Sequence, residues 1–273
     1  MEVVEEQGQT VAQEQGQIKI TVCLSLSGIA EGSQEVYDEF QKQIGEMEAN
    51  ATLGERKCEM GQVGCRGYCS RDVLVDVYVP GEPRVTYEKV KPAMVKNILN
   101  DHIVGGKVFK KAAAKEDYYE TLKKQTRVAL EHSGSIDPEN IDEYIGVGGY
   151  ESLKKVLQTM KSDEVIAEVK KSGLRGKGGG GFVTATKWEK AAKAPTDAKG
   201  TRYIMVNGDE GNPASYMDRS IMEGNPHQVI EGLLIGAYAI GATAGIIYTR
   251  SDYSIAVRRL NKALEQARER GFL

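Results

Sequence analysis

The sequence predicts an α/β protein built from two successive domains. The chain has 273 residues, which is enough for about two domains. Segments with the alternation of β-strands and segments with helical spacing follow one another in both halves. A lysine-rich stretch without clear periodicity separates the halves. We therefore predict a flexible tail over residues 1–16, a first domain over 17–101, a linker over 102–136 and a second domain over 137–273.

The composition is that of a globular protein and excludes several function classes. Hydrophobic residues make up 40% and charged residues 27% of the chain, and the formal net charge is −3. This balance gives no basis for nucleic-acid binding, and no apolar run reaches the roughly 18–20 residues of a membrane span. Residues 1–18 contain four glutamates and no lysine or arginine, unlike a signal peptide. We expect a cytoplasmic protein without direct membrane insertion.

The first domain is predicted as a strand, a helix, a strand, a hairpin and a helix. Residues 17–23 alternate apolar and polar side chains, as a strand does. Val36, Phe40 and Ile44 share one face of a predicted helix. The predicted elements are a strand over 17–23, a helix over 33–48, a short strand within 54–64, a loop over 65–69, strands over 73–79 and 84–87, and a helix over 88–102.

The second domain combines helices with a predicted parallel sheet. Helices are predicted over 150–160, 163–171, 226–239 and 253–270, and a further helix begins at Thr184 or Thr186. Residues 202–207 are predicted as a buried strand and 245–250 as a second strand. A strand–helix–strand order at this spacing favours a parallel sheet. A ligand would lie beyond the carboxyl ends of its strands, where residues 207–210 follow the first strand.

The most informative stretch is the glycine loop, residues 173–181, in which six of nine residues are glycine. Glycines leave backbone N–H groups bare, and a loop that leads into a helix N-terminus is suited to bind an anion. Arg175, Lys177 and Lys187 add positive charge. A helix rather than a strand precedes the loop, unlike the Rossmann fingerprint, and Gly178 stands where a Walker loop has Ser or Thr. We predict a phosphate-bearing cofactor; the alternative is a flexible hinge between two helices.

The four cysteines form the second candidate site. Cys65 and Cys69 share one loop, Cys23 ends the first strand, and Cys58 precedes the loop. Nothing indicates export, so reduced thiols or metal ligands are expected rather than disulfides. Four thiolates suit a [2Fe–2S] cluster or a zinc ion. The alternative is that small buried thiols fill the core.

Several motifs together resemble one family. They are Ser-Gly-Leu-Arg-Gly-Lys-Gly-Gly-Gly-Gly-Phe at 172–182, Lys187-Trp188, Asn-Gly-Asp-Glu-Gly at 207–211, Asp218-Arg219 and Glu-Gly-Asn-Pro-His at 223–227. The stretch from about residue 137 to the end resembles the NADH-binding flavoprotein subunit, of the 51 kDa type, of respiratory complex I and of NAD-dependent hydrogenases and formate dehydrogenases. The N-terminal part resembles the thioredoxin-like 2Fe–2S domain that precedes this subunit in soluble hydrogenases.

The resemblance implies cofactors, site residues and partners. It implies that FMN is held by Gly176, Lys177, Gly178, Lys187, Asn207, Asp209 and Glu210, and that Phe182 stacks on the adenine of NADH. For a cluster, Cys23, Cys65 and Cys69 would be ligands, with Cys58 as the fourth thiolate. The implied chemistry is hydride transfer from NADH to FMN, followed by single-electron steps to iron–sulfur clusters. The implied partners are the other subunits of a multisubunit redox complex.

Three departures from the family pattern keep a second hypothesis open. Gly28 stands where the family's C-x4-C spacing has a cysteine, and Asn212 replaces a usual glutamate. The sequence also ends at Leu273, before the family's C-terminal half, so we expect the flavin site to be incomplete on this chain alone. The alternative to an NADH-oxidising subunit is therefore a non-catalytic docking or structural module with degenerate cofactor sites.

Overall fold

The protein forms two compact units. The computed structural model describes residues 17–54, 56–212 and 215–273, so the tail predicted over 1–16 lies outside the described residues. One unit comprises the chain up to Val147 together with Glu223–Asn225, and the other comprises Gly148–Met222 and Pro226–Leu273. Among the described helices, none has both the length and the apolar character needed to cross a bilayer.

The first unit is built on a four-stranded mixed sheet. Its strand order is β2-β1-β3-β4; β1 and β2 are parallel, whereas β3 is antiparallel to both β1 and β4. This order of strands and helices agrees with the predicted thioredoxin-like domain. The elements are β1 (Ile18–Cys23), α1 (Leu26–Ala30), α2 (Ser33–Ala49), β2 (Cys58–Val63), a 3-10 turn (Cys69–Arg71), β3 (Val75–Tyr78), β4 (Val85–Tyr87), α3 (Pro92–Asn97), a π-helical segment (Ile98–Val104), α4 (Glu116–Lys123) and α5 (Ile141–Gly146).

Strand β1 is the centre of this unit, and all six of its residues are buried. The alternation of the sequence predicts the strand correctly, but its polar residues are covered as well. Lys19 is buried because its ammonium group pairs with the Glu143 carboxylate, with 2.7 Å between Nζ and Oε1. An ion pair of this kind permits a charged side chain inside a sheet that is packed on both faces.

The segment 102–136, predicted as a linker, is in part packed into the first unit. It contains α4, whose Tyr118 side chain is fully buried and whose Leu122 lies in the same apolar cluster as Cys23, Val63 and Leu74. The sequence gives no strong signal here because α4 has only 8 residues and is largely charged. This segment therefore contributes to the core beside the first strand.

A buried arginine holds the loop that carries Cys65 and Cys69. The Arg66 guanidinium binds the Asp76 carboxylate on β3, and it also donates to the carbonyl oxygen of Gly134 and, at 3.1 Å, to the hydroxyl of Tyr118. Thr86 donates a further hydrogen bond of 2.7 Å to Asp76 Oδ1. Both charged side chains are buried, so each satisfies the other in a region without bulk water.

The second unit contains a two-stranded parallel sheet and six of the described helices. The strands are β5 (Tyr203–Gly208) and β6 (Ala244–Thr249), which pair in parallel as predicted. The helices are α6 (Glu151–Thr159), α7 (Ser162–Ser172), α8 (Thr184–Lys193), α9 (Asp218–Gly224, whose last two residues group with the first unit), α10 (Pro226–Ile240) and α11 (Ser254–Glu269). Helix α8 begins at Thr184 and its N-cap is Val183, so neither Thr184 nor Thr186 caps it as predicted.

Strand β5 is not the buried strand that its apolar sequence predicts. Tyr203 and Met205 are more than half exposed, and Ile246 and Tyr248 of β6 are 41% and 55% exposed. On β5 these exposed residues alternate with Ile204 and Val206, which are less accessible. The sheet thus has helix packing on one face only. The prediction of a buried strand was wrong because a run of apolar residues does not show which face of the strand is covered.

The Arg66–Asp76 pair yields a stability prediction. We expect Asp76→Ala to lower the free energy of unfolding by about 3–5 kcal/mol, because it leaves the Arg66 charge buried without its carboxylate. Glu120→Ala, which removes an exposed partner of Lys123, is the control and should leave the unfolding midpoint unchanged. Urea denaturation followed by circular dichroism measures both. Equal midpoints for the two variants would contradict the role assigned to the buried pair.

Candidate functional site

The glycine loop is a closed turn with an exposed tip. Its base is held by a hydrogen bond of 2.9 Å from the Gly176 N–H to the Phe182 carbonyl oxygen, and by another of 3.0 Å from the Thr184 N–H to the Leu174 carbonyl oxygen. Arg175 donates across the loop to the carbonyl oxygen of Gly181 at 3.0 Å. The loop then leads directly into α8. This closed base argues against the hinge alternative, because a hinge has no need of a cross-braced turn.

The tip of the loop presents free backbone to its surroundings. Within the described part of the chain, the N–H groups of residues 177–181 donate no hydrogen bond. A Cβ atom at Gly178, Gly179 or Gly180 would meet no protein atom within 4 Å. Gly179 and Gly181 have φ angles of +100° and +58°, which side chains other than glycine rarely adopt. The loop therefore offers several amide donors and open space in front of them.

Helix α8 adds a helix N-terminus and positive charge beside the loop. Its ten residues begin directly after Val183, and Lys187 is exposed one turn into the helix. Phe182, also exposed, lies beneath the Lys190 ammonium group, with 5.9 Å between Nζ and the ring centroid. Amide dipoles at a helix N-terminus and nearby lysines favour an anion such as a phosphate.

The three predicted polar residues at the end of β5 do not share one environment. Asn207 and Asp209 are exposed, and the Asn207 side chain accepts a hydrogen bond of 3.0 Å from the Asp209 N–H. Glu210 is instead 4% exposed. Its carboxylate accepts hydrogen bonds from the N–H groups of Met217 and Arg219 and, at 3.1 Å, from the Tyr253 hydroxyl. In this conformation Glu210 orders the chain after β5, and only Asn207 and Asp209 face outwards.

Glu210 also affects its neighbours electrostatically. Burial, followed by the hydrogen bond to the Glu210 carboxylate, raises the pKa of the Tyr253 hydroxyl. Burial and the nearby negative charge of Glu210 likewise raise the pKa of Asp218. The carboxylate thus lies in a small buried polar network rather than at the surface.

Helix α10 is the element on which α8 and β5 are both positioned. A Cβ atom at Gly236 of α10 would lie 2.6 Å from Cδ1 of Ile204 and 3.1 Å from the ring of Trp188. The absence of a side chain at residue 236 therefore lets α8 and β5 approach the same point of α10. In the described residues no hydrogen bond or ion pair joins the glycine loop to Asn207, Asp209 or Glu210.

Three of the four cysteines form a second cluster at the end of β1. The Sγ atoms of Cys65 and Cys69 are 3.4 Å apart, and Sγ of Cys23 lies 3.7 Å from the carbonyl oxygen of Gly64, the residue before Cys65. The Gly67 N–H donates to Cys65 Sγ at 3.2 Å. We call Cys23, Cys65 and Cys69 the thiol cluster. Its inner member Cys23 is 2% exposed, whereas Cys69 is open to solvent.

Cys58 does not belong to the thiol cluster, and its predicted role as fourth ligand is wrong. In the parallel pairing of β1 with β2, Cys58 lies opposite Ile18, whereas Cys23 lies opposite Val63. Five residues of extended strand separate the two positions, which corresponds to about 16 Å. Cys58 packs against the main core instead, and burial raises the pKa of its thiol to about 11.

The thiols of the cluster are electrostatically coupled. The interaction with Cys65 lowers the pKa of the Cys23 thiol. The same interaction raises the pKa of the Cys65 thiol to about 11. The hydrogen bond to Cys65 and burial also raise the pKa of Cys69. The three thiols therefore affect one another's pKa, and Cys23 is the one whose pKa is lowered.

The sequence analysis did not identify three residues that lie beside the thiol cluster, namely Ser27, Asp72 and Arg66. Ser27 and Asp72 lie beside the thiols, and the Ser27 hydroxyl donates to Asp72 Oδ2 at 2.7 Å. Burial raises the pKa of the Asp72 carboxyl group. Arg66 braces the loop between Cys65 and Gly67, as described above. The position of Ser27 next to Gly28 is the one feature of the sequence that could have pointed to Ser27. Asp72 could not be predicted, because only the fold brings it next to Ser27.

A mononuclear metal site is not preformed in the described part of the chain, where no three His, Cys, Asp or Glu side chains converge closely enough on one point. The close pair Cys65 and Cys69, with Cys23 to one side, is better suited to a binuclear cluster, whose protein ligands are divided between two irons. The predicted zinc alternative is therefore less well matched by this arrangement than a [2Fe–2S] cluster.

Two known families match separate regions of the chain. Residues 9–102 match the thioredoxin-like [2Fe–2S] ferredoxin family, and residues 169–272 match the Nuo51 FMN-binding domain family. Each of the two units thus contains a region that matches a family whose description names the group considered at its candidate site. Residues 9–102 are therefore similar to the first family and residues 169–272 to the second, each match covering less than half of the chain.

Curated relatives share the second region. The chain is 52% identical over 153 residues to the NADP-reducing hydrogenase subunit HndC of Solidesulfovibrio fructosivorans, covering 56% of this chain and 30% of that protein. It is 46% identical over 134 residues to a subunit of the NADH-quinone oxidoreductase of Aquifex aeolicus, covering 49% of this chain and 30% of that protein. The chain thus spans about a third of the length of these relatives.

Two solved structures are similar to parts of the chain. The thioredoxin-like [2Fe–2S] ferredoxin from Aquifex aeolicus is 23% identical, with a TM-score of 0.31, and the match covers 37% of this chain and 98% of that one. The H2-reduced NAD+-reducing [NiFe]-hydrogenase is 18% identical, with a TM-score of 0.40, and the match covers 91% of this chain and 40% of that one.

The geometry of the thiol cluster predicts which cysteines oxidise together. Treatment of the metal-free chain with diamide should link Cys65 to Cys69, because their sulfur atoms are already 3.4 Å apart. Cys58 should remain a free thiol, because no other cysteine is near it on its strand. Peptide mapping by mass spectrometry after alkylation identifies the linked pair. A disulfide that includes Cys58 would contradict its placement at the far end of β2.

Proposed function

We propose that this chain is the N-terminal part of an NADH-oxidising flavoprotein subunit. In this proposal electrons pass from NADH through FMN to iron–sulfur clusters of a cytoplasmic multisubunit oxidoreductase. The observation that carries the proposal is the glycine loop, whose tip has unbonded amides, open space and a helix N-terminus beside it. The two family matches and the hydrogenase and quinone-oxidoreductase relatives support it.

The glycine loop would bind the phosphate of FMN. The base of the loop includes Gly176, and its tip includes Lys177 and Gly178. The amides of residues 177–181 have no other acceptor among the described residues. A phosphate dianion would accept hydrogen bonds from several of these amides, each contributing about 1.5–3 kcal/mol. Lys187 would add a point charge from the exposed side of α8.

The end of β5 would face the remainder of the flavin. Asn207 and Asp209 are exposed at the carboxyl end of a parallel strand, where ligands of α/β sheets bind. Glu210 would act from behind them, since its carboxylate holds Met217, Arg219 and Tyr253 in place. FMN would supply the hydride acceptor, and these residues would orient it and set the charge around its ring.

Phe182 would provide the contact for the adenine of NADH. Its ring is 51% exposed at the start of α8, next to the proposed phosphate site. The Lys190 ammonium group 5.9 Å from the ring centroid adds a positive charge close to the diphosphate of a dinucleotide. An aromatic ring and a lysine at this position suit a nucleotide better than they suit a purely structural loop.

The non-catalytic alternative is retained for one specific reason. The thioredoxin-like unit contains three clustered thiols rather than four, and Gly28 stands in place of the family's cysteine. A docking module with degenerate sites would preserve the fold and lose the cofactors. It has no need, however, of free amides at a glycine loop, and the experiments below distinguish the two functions.

The first experiment alters the phosphate cradle. We expect Gly178→Val to weaken FMN binding by about 100-fold or more, because a branched side chain would block at least two amide–phosphate hydrogen bonds. Lys187→Ala should weaken binding by about tenfold, because the amides remain. Quenching of FMN fluorescence on titration of the chain in its assembled complex measures both affinities.

The matched control for this experiment is Gly232→Val, on an exposed part of α10 where a Cβ atom also meets nothing within 4 Å. Gly178→Val should unfold at the same temperature as the parent chain, because its new side chain contacts no protein atom. If Gly178→Val bound FMN as tightly as the parent, the cradle assignment would be wrong.

The second experiment tests the redox function itself. The chain in its assembled complex, kept anaerobic and supplied with FMN, should lose visible flavin absorbance when NADH is added. Phe182→Ala should raise the NADH concentration needed for half-maximal bleaching about tenfold, with FMN affinity unchanged, because one stacking contact is lost. If FMN bound but NADH never reduced it in the assembled complex, the docking-module alternative would be favoured.

A further inference from the structure

Serine hydroxyl oxygens lie beside the thiol cluster at the end of β1. We propose that the Ser27 hydroxyl oxygen takes the fourth protein position, so that this chain binds its [2Fe–2S] cluster through Cys23, Cys65, Cys69 and Ser27. This inference rests on the proposed function in assuming that the thioredoxin-like unit carries a cluster. It differs from the four-cysteine pattern in a way that the positions of Ser27 and Gly28 determine.

Ser27 is connected to the thiol cluster through Ser25. Its Oγ lies 3.3 Å from Oγ of Ser25, which in turn is 3.4 Å from Sγ of Cys23. These oxygen and sulfur atoms therefore lie together at the end of β1. Cys65 and Cys69 form one pair in this group, and Cys23 and Ser27 are available as the second pair.

Residue 28, where the family pattern has a cysteine, cannot provide the ligand here. A Cβ atom at Gly28 would lie 2.3 Å from the backbone carbonyl oxygen of Cys23, which is closer than any side chain is found. Gly28 is also buried in α1. A cysteine at this position would therefore have to displace the end of β1, which carries a ligand itself. The preceding residue, Ser27, has a side chain that already faces the cluster.

The neighbouring oxygen donors are less suitable than Ser27. Ser25 is the N-cap of α1, and its Oγ accepts the Gly28 N–H at 3.3 Å, so it already has a structural acceptor role. Asp72 accepts the Ser27 hydroxyl at 2.7 Å. This places Asp72 behind Ser27, as a positioning residue that orients the serine oxygen and receives its proton when the oxygen ligates iron.

Assembly of such a site requires ferric iron and sulfide and involves no change of oxidation state. Each ligating thiol loses its proton to solvent, and the Ser27 hydroxyl loses its proton to the Asp72 carboxylate. The electron pairs of the broken S–H and O–H bonds form the bonds to iron. A serine oxygen is a harder ligand than a thiolate, so the cluster should differ spectroscopically from a four-thiolate cluster.

The test reconstitutes the whole chain anaerobically with ferric iron and sulfide and compares four variants. Ser27→Ala should retain about tenfold less cluster iron after desalting, because one ligand is missing. Ser27→Cys should retain at least as much iron as the parent, and the EPR signal of its reduced cluster should shift from the parent signal. Asp72→Asn should shorten the lifetime of the cluster in air without shifting the EPR signal. Cys58→Ser, the remote-thiol control, should match the parent in both respects.

A double variant separates residue 27 from residue 28. Ser27→Ala combined with Gly28→Cys should fail to recover the iron, because a side chain at residue 28 would collide with the Cys23 carbonyl oxygen. Circular dichroism verifies that each variant is folded. The proposal is overturned if Ser27→Ala keeps its iron and an unchanged EPR signal, or if the double variant recovers a full cluster.

The same samples distinguish this inference from the proposed function. FMN affinity and reduction of FMN by NADH depend on the second unit, so they should be equal in all of these variants. If they are equal and Ser27→Ala nevertheless keeps an unchanged cluster, the serine ligand alone is refuted. If the parent chain binds no iron and its assembled complex binds no FMN, the proposed function fails, and the serine ligand fails with it.

Discussion

The structure of the first unit depends on one buried ion pair, between Arg66 and Asp76. Arg66 follows Cys65 directly in the chain, so the same residue that pairs with β3 also fixes the loop that carries two thiols. Its further hydrogen bonds to Gly134 and Tyr118 connect this loop to the segment after β4. A Cβ atom at Gly134 would lie 2.2 Å from Cγ of Arg66, so glycine is required there for the arginine to reach its partners. The position of Cys65 and Cys69 is thereby set by a network outside the thiols themselves.

A comparable constraint organises the second unit. Helix α8, which the glycine loop enters, and strand β5, which ends in Asn207 and Gly208, both pack on α10 around Gly236. Because a larger residue would push Ile204 and Trp188 apart from α10, this glycine positions the candidate phosphate site and the candidate flavin-ring site on one helix. Loops placed on a rigid scaffold in this way are where binding residues are commonly found. The proposed division of labour, amides for phosphate and strand end for the ring, follows from that placement.

Local patterns predicted most of the elements and failed where the result depended on distant parts of the chain. The alternation in β1 and the face formed by Val36, Phe40 and Ile44 are local signals, and both elements are present as predicted. The burial of Lys19 was not predictable, because its partner Glu143 lies 124 residues away. The exposure of Tyr203 and Met205 was likewise not predictable, because an apolar strand has the same sequence pattern whether one of its faces or both are covered.

The candidate sites show the same limit. The glycine composition of residues 173–181 identified a loop with bare amides, because that property belongs to the local sequence alone. The thiol cluster was only partly predictable: Cys65 and Cys69 share a loop, but the register of β1 with β2 decides that Cys23 joins them and Cys58 does not. Ser27 and Asp72 are 45 residues apart and became visible as one group only through the hydrogen bond between them.

The central claim is that one chain provides both a cluster site in its thioredoxin-like unit and a flavin phosphate site in its second unit. Native mass spectrometry of the anaerobically prepared chain in its assembled complex, supplied with FMN, iron and sulfide, tests it most directly. We expect a species in which this chain carries one FMN and one [2Fe–2S] cluster together. A spectrum that contains only the bare chain, or the chain with zinc and no flavin, would contradict it.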